Sequence, residues 1–487
     1  MENVFNGLQP EPLWNYFAEI CKIPRPSKKE GKISAYLLKF AEEHQLEAEK
    51  DDAGNILIRK NASQGYENRK TVVLQSHIDM VCEKNSETDH DFDLDPIQPY
   101  IEGEWVKARG TTLGADDGIG IAAQLAILAA DELVHGPIEC LFTVDEETGL
   151  TGAFGLQPGF LKGKILLNLD SEDEGELFIG CAGGKETVAT LTFSMVSVGY
   201  DPLAYSLKVG GLKGGHSGDD INKGLGNAIK MLNRVLWNCN KKIDLRISHI
   251  DGGNLHNAIA REASALVVIP RRFKDEFEQF VDEMQQAIRY EFRTTEPNLT
   301  IKAKPADLPS HLIDISTQEK LLNAIYACPH GVMAMSREIP NFVETSTNLA
   351  SVKMVDNKIV ITTSQRSSLE SGKICIADMV ASVFSLAGAR IEQSAGYPGW
   401  TPNPSSEILD ITKNAYIRLF RTEPKVLAIH AGLECGVIGE KYPGMDMISY
   451  GPTIKGAHSP DERLQIDTVM KFWDLTVEVL ANIPAEK

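Results

Sequence analysis

Residues 71–79 read TVVLQSHID, a run of mostly apolar residues that stops at His77 and Asp79. Three more stretches behave alike: IECLFTVDEE (138–147), KILLNLD (164–170) and MDMISYGPTIKGAH (445–458). Each reads as a strand that runs into an acidic residue or a histidine. A further acidic element, Asp116-Asp117, lies in GTTLGADDGIG (110–120), a glycine-rich turn that opens a helix. In an open α/β sheet, ligands bind in the crevice at the carboxyl ends of the strands. Carboxylates gathered there repel one another unless a cation neutralises them. Imidazole with carboxylate suits zinc, and a surplus of carboxylates suits two ions sharing a bridging ligand. The pattern therefore implies a two-metal hydrolase.

Outward from these endings, EPLWNYFAEICKI and KISAYLLKFAEEHQL carry apolar residues at helical spacing, and GIGIAAQLAILAADE reads as a core helix. Helices alternating with strands predict an α/β fold whose mostly parallel central sheet is flanked by helices on both faces. Near GCAGGKET (180–187) the texture changes, and no strand from there to about Tyr397 delivers clustered carboxylates. The earlier style returns after AGYPGW. The expected organisation is a first catalytic part over 1–185, an inserted α+β domain over 186–397 and a second catalytic part over 398–487.

A chain of 487 residues exceeds one ordinary core, which also favours two domains. Its net charge of -19, with no basic block, argues against nucleic acid and against an anionic membrane surface as partners. The opening MENVFNGLQPEPLWNYFAEICKIPRPS has no basic region ahead of an apolar one, so no signal peptide is expected. Eight scattered cysteines without a CxxC pair fit a reducing cytoplasm.

His77 and Asp79 are two apart at a strand end, so their side chains lean to one side. His77 suits direct metal binding and Asp79 suits orienting it, although the pair alone would read as a surface turn. Glu146 and Glu147 are neighbours whose side chains diverge: one would hold a metal while the other activates water. One of Asp116 and Asp117 is explained as a helix cap, which leaves the other without a task. Asp170 precedes Glu172, Asp173, Glu174 and Glu176, which read as solvated charge. His458 by itself would be an ordinary loop histidine.

These spacings, in this order, resemble the di-zinc metallopeptidase superfamily of aminoacylases, carboxypeptidases and dipeptidases. The likeness is closer to the bacterial aminoacyl-histidine dipeptidases, which are carnosinase-like. It runs through GNILIRK, LQSHIDMV, GEWVKARGTTLGADDGIG, GAFGLQ, GCAGG, GLKGGHSG, GYPGW, HAGLECG and GPTIKGAHSPDE. The resemblance implies two Zn2+ per subunit, replaceable by Co2+ or Mn2+, held by His77, Asp116, Glu147, Asp170 and His458 with Asp116 bridging. It makes Glu146 the general base and Asp79 the residue that orients His77. The inserted domain becomes a lid, in which His216 of GGHSG faces the developing oxyanion. Arg366 of TTSQRSS and Asn257 of NLHNAIARE then recognise the substrate carboxylate. This chain has Asn257-Ala258-Ile259-Ala260 where the family reads Asn-x-Ile-Pro, which frees the backbone there. His256 beside it is a second departure, and His430 and Glu434 of HAGLECG acquire no role.

The implied activity is hydrolysis of small peptides, dipeptides with a free N-terminus including Xaa-His types such as carnosine. A homodimer is also suggested by the resemblance. A deacylase of the same superfamily is the first alternative and a catalytically silent metal-dependent binding protein the second.

Overall fold

The computed structural model describes residues 4–486. The chain divides into two compact units: 1–180 with 400–428 and 433–487, and 181–399 with 429–432.

The first unit is built on an eight-stranded sheet in the order Glu47–Lys50, Ile56–Lys60, Ile138–Thr143, Val72–His77, Ile165–Asn168, Asp446–Ser449, Glu176–Cys181, Lys425–Ile429. The four central strands, Ile138–Thr143 to Asp446–Ser449, run parallel. Pairings towards the edges are antiparallel. Every residue of Val72–His77, Ile138–Thr143 and Ile165–Asn168 is buried. Successive strand residues face opposite sides, so both faces of the centre are covered. That explains why these strands read as unbroken apolar runs. The helix Ala115–Ala129 is buried along most of its length and packs against both Val72–His77 and the helix Glu11–Ile20.

Asp446–Ser449 ends well short of His458. The expected single run to that histidine is instead two elements. After a loop, Ile454–Lys455 joins a separate four-stranded sheet with Arg463–Gln465, Trp105–Ala108 and Pro99–Glu102. Gly451 and Pro452 interrupt the strand pattern, as their backbone chemistry favours.

The second unit carries a nine-stranded antiparallel sheet. Its helices include Ala228–Lys242, Lys274–Glu291 and Ile315–Ala327. Strands such as Pro202–Gly210 alternate buried and exposed residues, the pattern of a sheet with one covered face. Leu207, Val209, Val267, Leu232, Phe277 and Leu321 belong to its core. No helix of the described residues is long and apolar enough to cross a membrane.

Candidate metal centre

Three of the parallel strands end side by side. His77 closes Val72–His77, Glu146 and Glu147 follow Ile138–Thr143, and Asp170 follows Ile165–Asn168. Parallel register puts their carboxyl ends at one edge of the sheet, so residues distant in sequence converge. Asp116 comes from the turn before Ala115–Ala129 settles into helical geometry: Asp116 and Asp117 have non-helical backbone angles. The peptide between them is cis.

Asp116 stands between two histidines. Its Oδ1 is 3.0 Å from His77 Nε2, and its Oδ2 is 3.2 Å from His458 Nε2. Asp170 Oδ1 lies 3.4 Å from His77 Nε2, and Glu147 Oε2 lies 3.1 Å from His458 Nε2. Two groups result, His77–Asp116–Asp170 and Asp116–Glu147–His458, each with donor atoms within 4.8 Å of one another. Ligands about 2.1 Å from a tetrahedral ion stand roughly 3.4 Å apart. The separations found here fit that spacing, and the donor set of imidazoles and carboxylates suits a divalent ion of the zinc type. Glu147 Oε1 is buried without a hydrogen-bond partner, an orphaned acceptor of the kind that a cation satisfies.

The electrostatics point the same way. Burial drives Asp170 up to about 7, with Asp116 and Glu147 adding to the rise against the pull of His77. Burial also opposes ionisation of Asp116, but His458 and His77 hold its carboxyl well below the usual range. On His77 burial disfavours the charge, yet Asp170, Asp116 and Asp79 raise its pKa well above the ordinary imidazole value. Burial likewise lifts Glu146 well above a free glutamate, with help from Asp170, Glu147 and Glu434. Negative charge is crowded here beyond what two histidines offset.

Asp79 is fully buried. Its Oδ1 lies 3.3 Å from His77 Nδ1, on the ring edge away from Asp116. It also accepts the backbone N–H groups of Glu146 at 3.0 Å and Glu147 at 3.2 Å, and the Ser27 hydroxyl at 2.7 Å. Of the aspartate pair, Asp117 serves the helix start by accepting the Gly120 N–H at 3.1 Å, while Asp116 faces the histidines. Glu172, expected as solvated charge, is only partly exposed, and burial beside Asp116 pushes it up to about 8.

Sequence reasoning gives Glu434 no task. It is fully buried at the start of the helix Glu434–Lys441. Its Oε2 accepts from Gln75 Nε2 at 2.6 Å and from the Thr143 hydroxyl at 2.7 Å, tying together two strands that end at the site. Only its position after a glycine-containing turn marks it in the sequence.

The second unit gathers another polar cluster. Arg366, at 7% exposure on the strand Lys358–Ser367, donates from Nη1 to Tyr397 Oη at 2.9 Å, with its Nη2 3.4 Å from His216 Nε2. The N–H groups of Gly218 and Asp219 donate to His216 Nδ1, each at 3.3 Å, and Asp219 Oδ2 is 3.3 Å from that same atom. Asn257 is exposed; its carbonyl accepts the Ser217 N–H at 2.7 Å, and Ile259 N–H donates to Gly215 O at 2.8 Å. These bonds pin the 257–259 segment to the GGHSG turn without the proline that the family carries. His216 and Asn257 share the lining of a 910 Å3 cavity with Lys213, Leu255 and Arg261. His256 is exposed, 3.6 Å from Glu186. His430 is buried, bonded to the Ser346 hydroxyl at 2.7 Å, and lowered to about 4 by burial and then by Arg366. Neither Tyr397 nor Ser217 is marked by the sequence, since a lone hydroxyl carries no spacing signal.

Known proteins share this arrangement of sequence and fold. The chain is 46% identical over 481 residues to the cytosol non-specific dipeptidase of Escherichia coli (strain K12), covering 98% of this chain and 99% of that protein. It superposes on the crystal structure of an aminoacylhistidine dipeptidase from Vibrio alginolyticus with a TM-score of 0.92, at 46% identity and 99% coverage of both chains. The aminopeptidase PepT of Bacillus cereus ATCC 10987 shares the fold at 17% identity, with a TM-score of 0.57 over 98% of this chain and 99% of that one. Residues 73–482 match the peptidase family M20/M25/M40, and the chain belongs to that family.

Proposed function

We propose that this chain, a dipeptidase of the M20 metallopeptidase family, cleaves dipeptides with a free N-terminus, Xaa-His dipeptides such as carnosine among them. The observation that carries the reading is Asp116, one carboxylate shared between a His77–Asp170 pair and a Glu147–His458 pair. In this reading those five residues hold two zinc ions, with Co2+ or Mn2+ as substitutes. Bound there, the ions supply Lewis acidity that makes a water more acidic and polarises the scissile carbonyl. Glu146 takes the proton of the attacking water and later delivers it to the departing amine. Asp79 holds His77 in orientation and fixes the backbone of the glutamate pair.

His216 is proposed to donate to the oxygen that gains charge as the tetrahedral state forms. Arg366 and Asn257 are proposed to recognise the free carboxylate of the substrate, the guanidinium through two parallel hydrogen bonds. The cytosolic relative supports a cytoplasmic setting. A homodimer is part of the same proposal.

Metal analysis combined with a panel assay tests the whole reading. The purified protein is expected to carry two divalent ions and to turn over Xaa-His dipeptides faster than N-acetyl amino acids. Preferential release of acetate from the acylated substrates would make it a deacylase. Full activity in protein shown to be stripped of its metal by chelation would remove the metal mechanism.

A further inference from the structure

Glu462 lies four residues beyond His458 and is 2% exposed. Its carboxylate is not turned towards the candidate ions. Oε2 accepts the backbone N–H groups of Leu113 at 2.7 Å and Gly114 at 3.0 Å, and Oε1 accepts those of Ala115 at 2.8 Å and Asp116 at 3.3 Å. Four consecutive N–H groups converge on one carboxylate because Gly114 adopts a left-handed φ of 67°, which makes an anion-binding concavity of the turn. Both oxygens are thereby engaged, so Glu462 is no spare metal ligand.

The carbonyl side of the same turn is held by Arg25, also 2% exposed. Its Nη2 donates to Gly114 O at 2.5 Å, and its Nη1 donates to Ile78 O at 3.2 Å and to Asp79 O. One guanidinium thus bridges the turn bearing Asp116 to the segment bearing His77. A β-carbon on Gly114 would come within 2.7 Å of Arg25 Nη2, and one on Gly118 within 2.8 Å, so both glycines leave room for the guanidinium.

We propose that Glu462 and Arg25 are positioning residues that clamp the Asp116 turn from its two sides and set the distance between Asp116 and His77 before any ion binds. The inference rests on Asp116 being a metal ligand. Two buried charged groups that served only stability would tolerate any change preserving the fold. A clamp on a ligand should instead register in metal affinity, for which supporting residues outside the ligand set typically count about 10–100-fold.

The variants are Glu462→Gln, Arg25→Lys and Gly118→Ala, with Asp116→Asn as reference, in the full-length metal-free protein. Glu462→Gln keeps the size of the side chain but not its bonding, because the new amide turns N–H donors towards N–H donors. Lysine keeps the charge of Arg25 but not the fork that spans two segments. Alanine at 118 leaves the proposed ligands and both clamping side chains in place while its β-carbon crowds the guanidinium. Zinc affinity is read by competition with a chelating indicator, coordination by the visible spectrum of the Co2+ form, and folding by thermal unfolding without metal. The expected result is an about 10–100-fold weaker affinity and an altered Co2+ spectrum in all three variants, in protein that thermal unfolding shows to be folded. If Asp116→Asn loses metal while Arg25→Lys and Gly118→Ala bind with wild-type affinity and spectrum, the clamp is refuted and the metal reading stands. If Asp116→Asn keeps two ions at full affinity, the metal reading itself fails. Should Glu462→Gln not fold, the other two variants decide.

Discussion

Asp79 Oδ1 accepts the backbone N–H of Glu146 at 3.0 Å, and the same oxygen lies 3.3 Å from His77 Nδ1. One atom therefore links the orientation of an imidazole to the placement of a glutamate 67 residues beyond Asp79.

Replacing Asp79 should disturb both partners at once. Asp79→Asn substitutes an N–H donor for one acceptor, so either the Glu146 N–H on Oδ1 or the Glu147 N–H on Oδ2 loses its partner. Metal affinity is expected to fall about 10–100-fold, with kcat falling further than occupancy accounts for. Zinc competition and steady-state kinetics at saturating metal separate the effects. A variant that recovers full kcat once loaded would show that Asp79 acts on the metal alone.

The paired glutamates divide cleanly in this reading. Glu146→Gln should retain both ions yet lose roughly 10²–10⁴-fold in turnover, the scale of a lost general base. Glu147→Gln should lower metal occupancy, since Glu147 lies 3.1 Å from His458 Nε2. Near-normal turnover in Glu146→Gln would remove the proposed proton path.

His216→Ala should reduce kcat by about 10²–10³, as expected for one lost oxyanion donor, with metal content unchanged. Stoichiometric loss of zinc from this variant would instead make His216 a ligand.

Glu434 supplies a pH test on the metal-free protein. Burial pushes its carboxyl up to about 8; the Thr143 hydrogen bond and His77 oppose this, and Asp170 and Asp79 add to it. Between the ordinary glutamate value and about 8 the folded state holds a proton that the unfolded state has lost. Stability should therefore fall as pH rises through that window and level off above it. Glu434→Gln keeps an acceptor for Gln75 and Thr143 without a charge to bury. Thermal unfolding should find it a few degrees more stable than the wild type at about pH 8.5 and indistinguishable at about pH 5. Equal melting curves at both would mean that the buried carboxylate is compensated by another group.

His77, Glu146, Glu147 and Asp170 are legible in the sequence because each follows a strand buried on both faces, and such a strand leaves an unbroken apolar run ahead of its functional end. His458 is legible only as a residue, because it sits after a two-residue strand in another sheet, at a φ of 62° that tertiary contacts impose. Glu172 looks like surface charge in sequence and Glu434 acquires no role there, since burial of a carboxylate depends on neighbours brought in from elsewhere. Glu462 and Arg25 act on backbone N–H and carbonyl groups, which every residue possesses and no side-chain pattern advertises.

Recognition of a free carboxylate separates a dipeptidase from a broader amidohydrolase. Arg366 is buried and donates to Tyr397 Oη from Nη1, which fixes one edge of the guanidinium plane. A carboxylate received by such a fixed fork gains two parallel charge-assisted bonds. Amidating the C-terminus of a dipeptide removes the charge and replaces one acceptor with a donor, so wild-type kcat/KM should drop sharply. In Arg366→Ala the same amidation should matter far less, because the group it would disturb is gone. Arg366→Lys should remain well below wild type, since an ammonium keeps the charge but not the fork. A third residue on the substrate should be poorly tolerated as well, because it carries the carboxylate away from the scissile bond. Paired kinetics on free, amidated and extended substrates across the three proteins measure the coupling directly. Equal wild-type rates on free and amidated dipeptides would refute carboxylate recognition by Arg366.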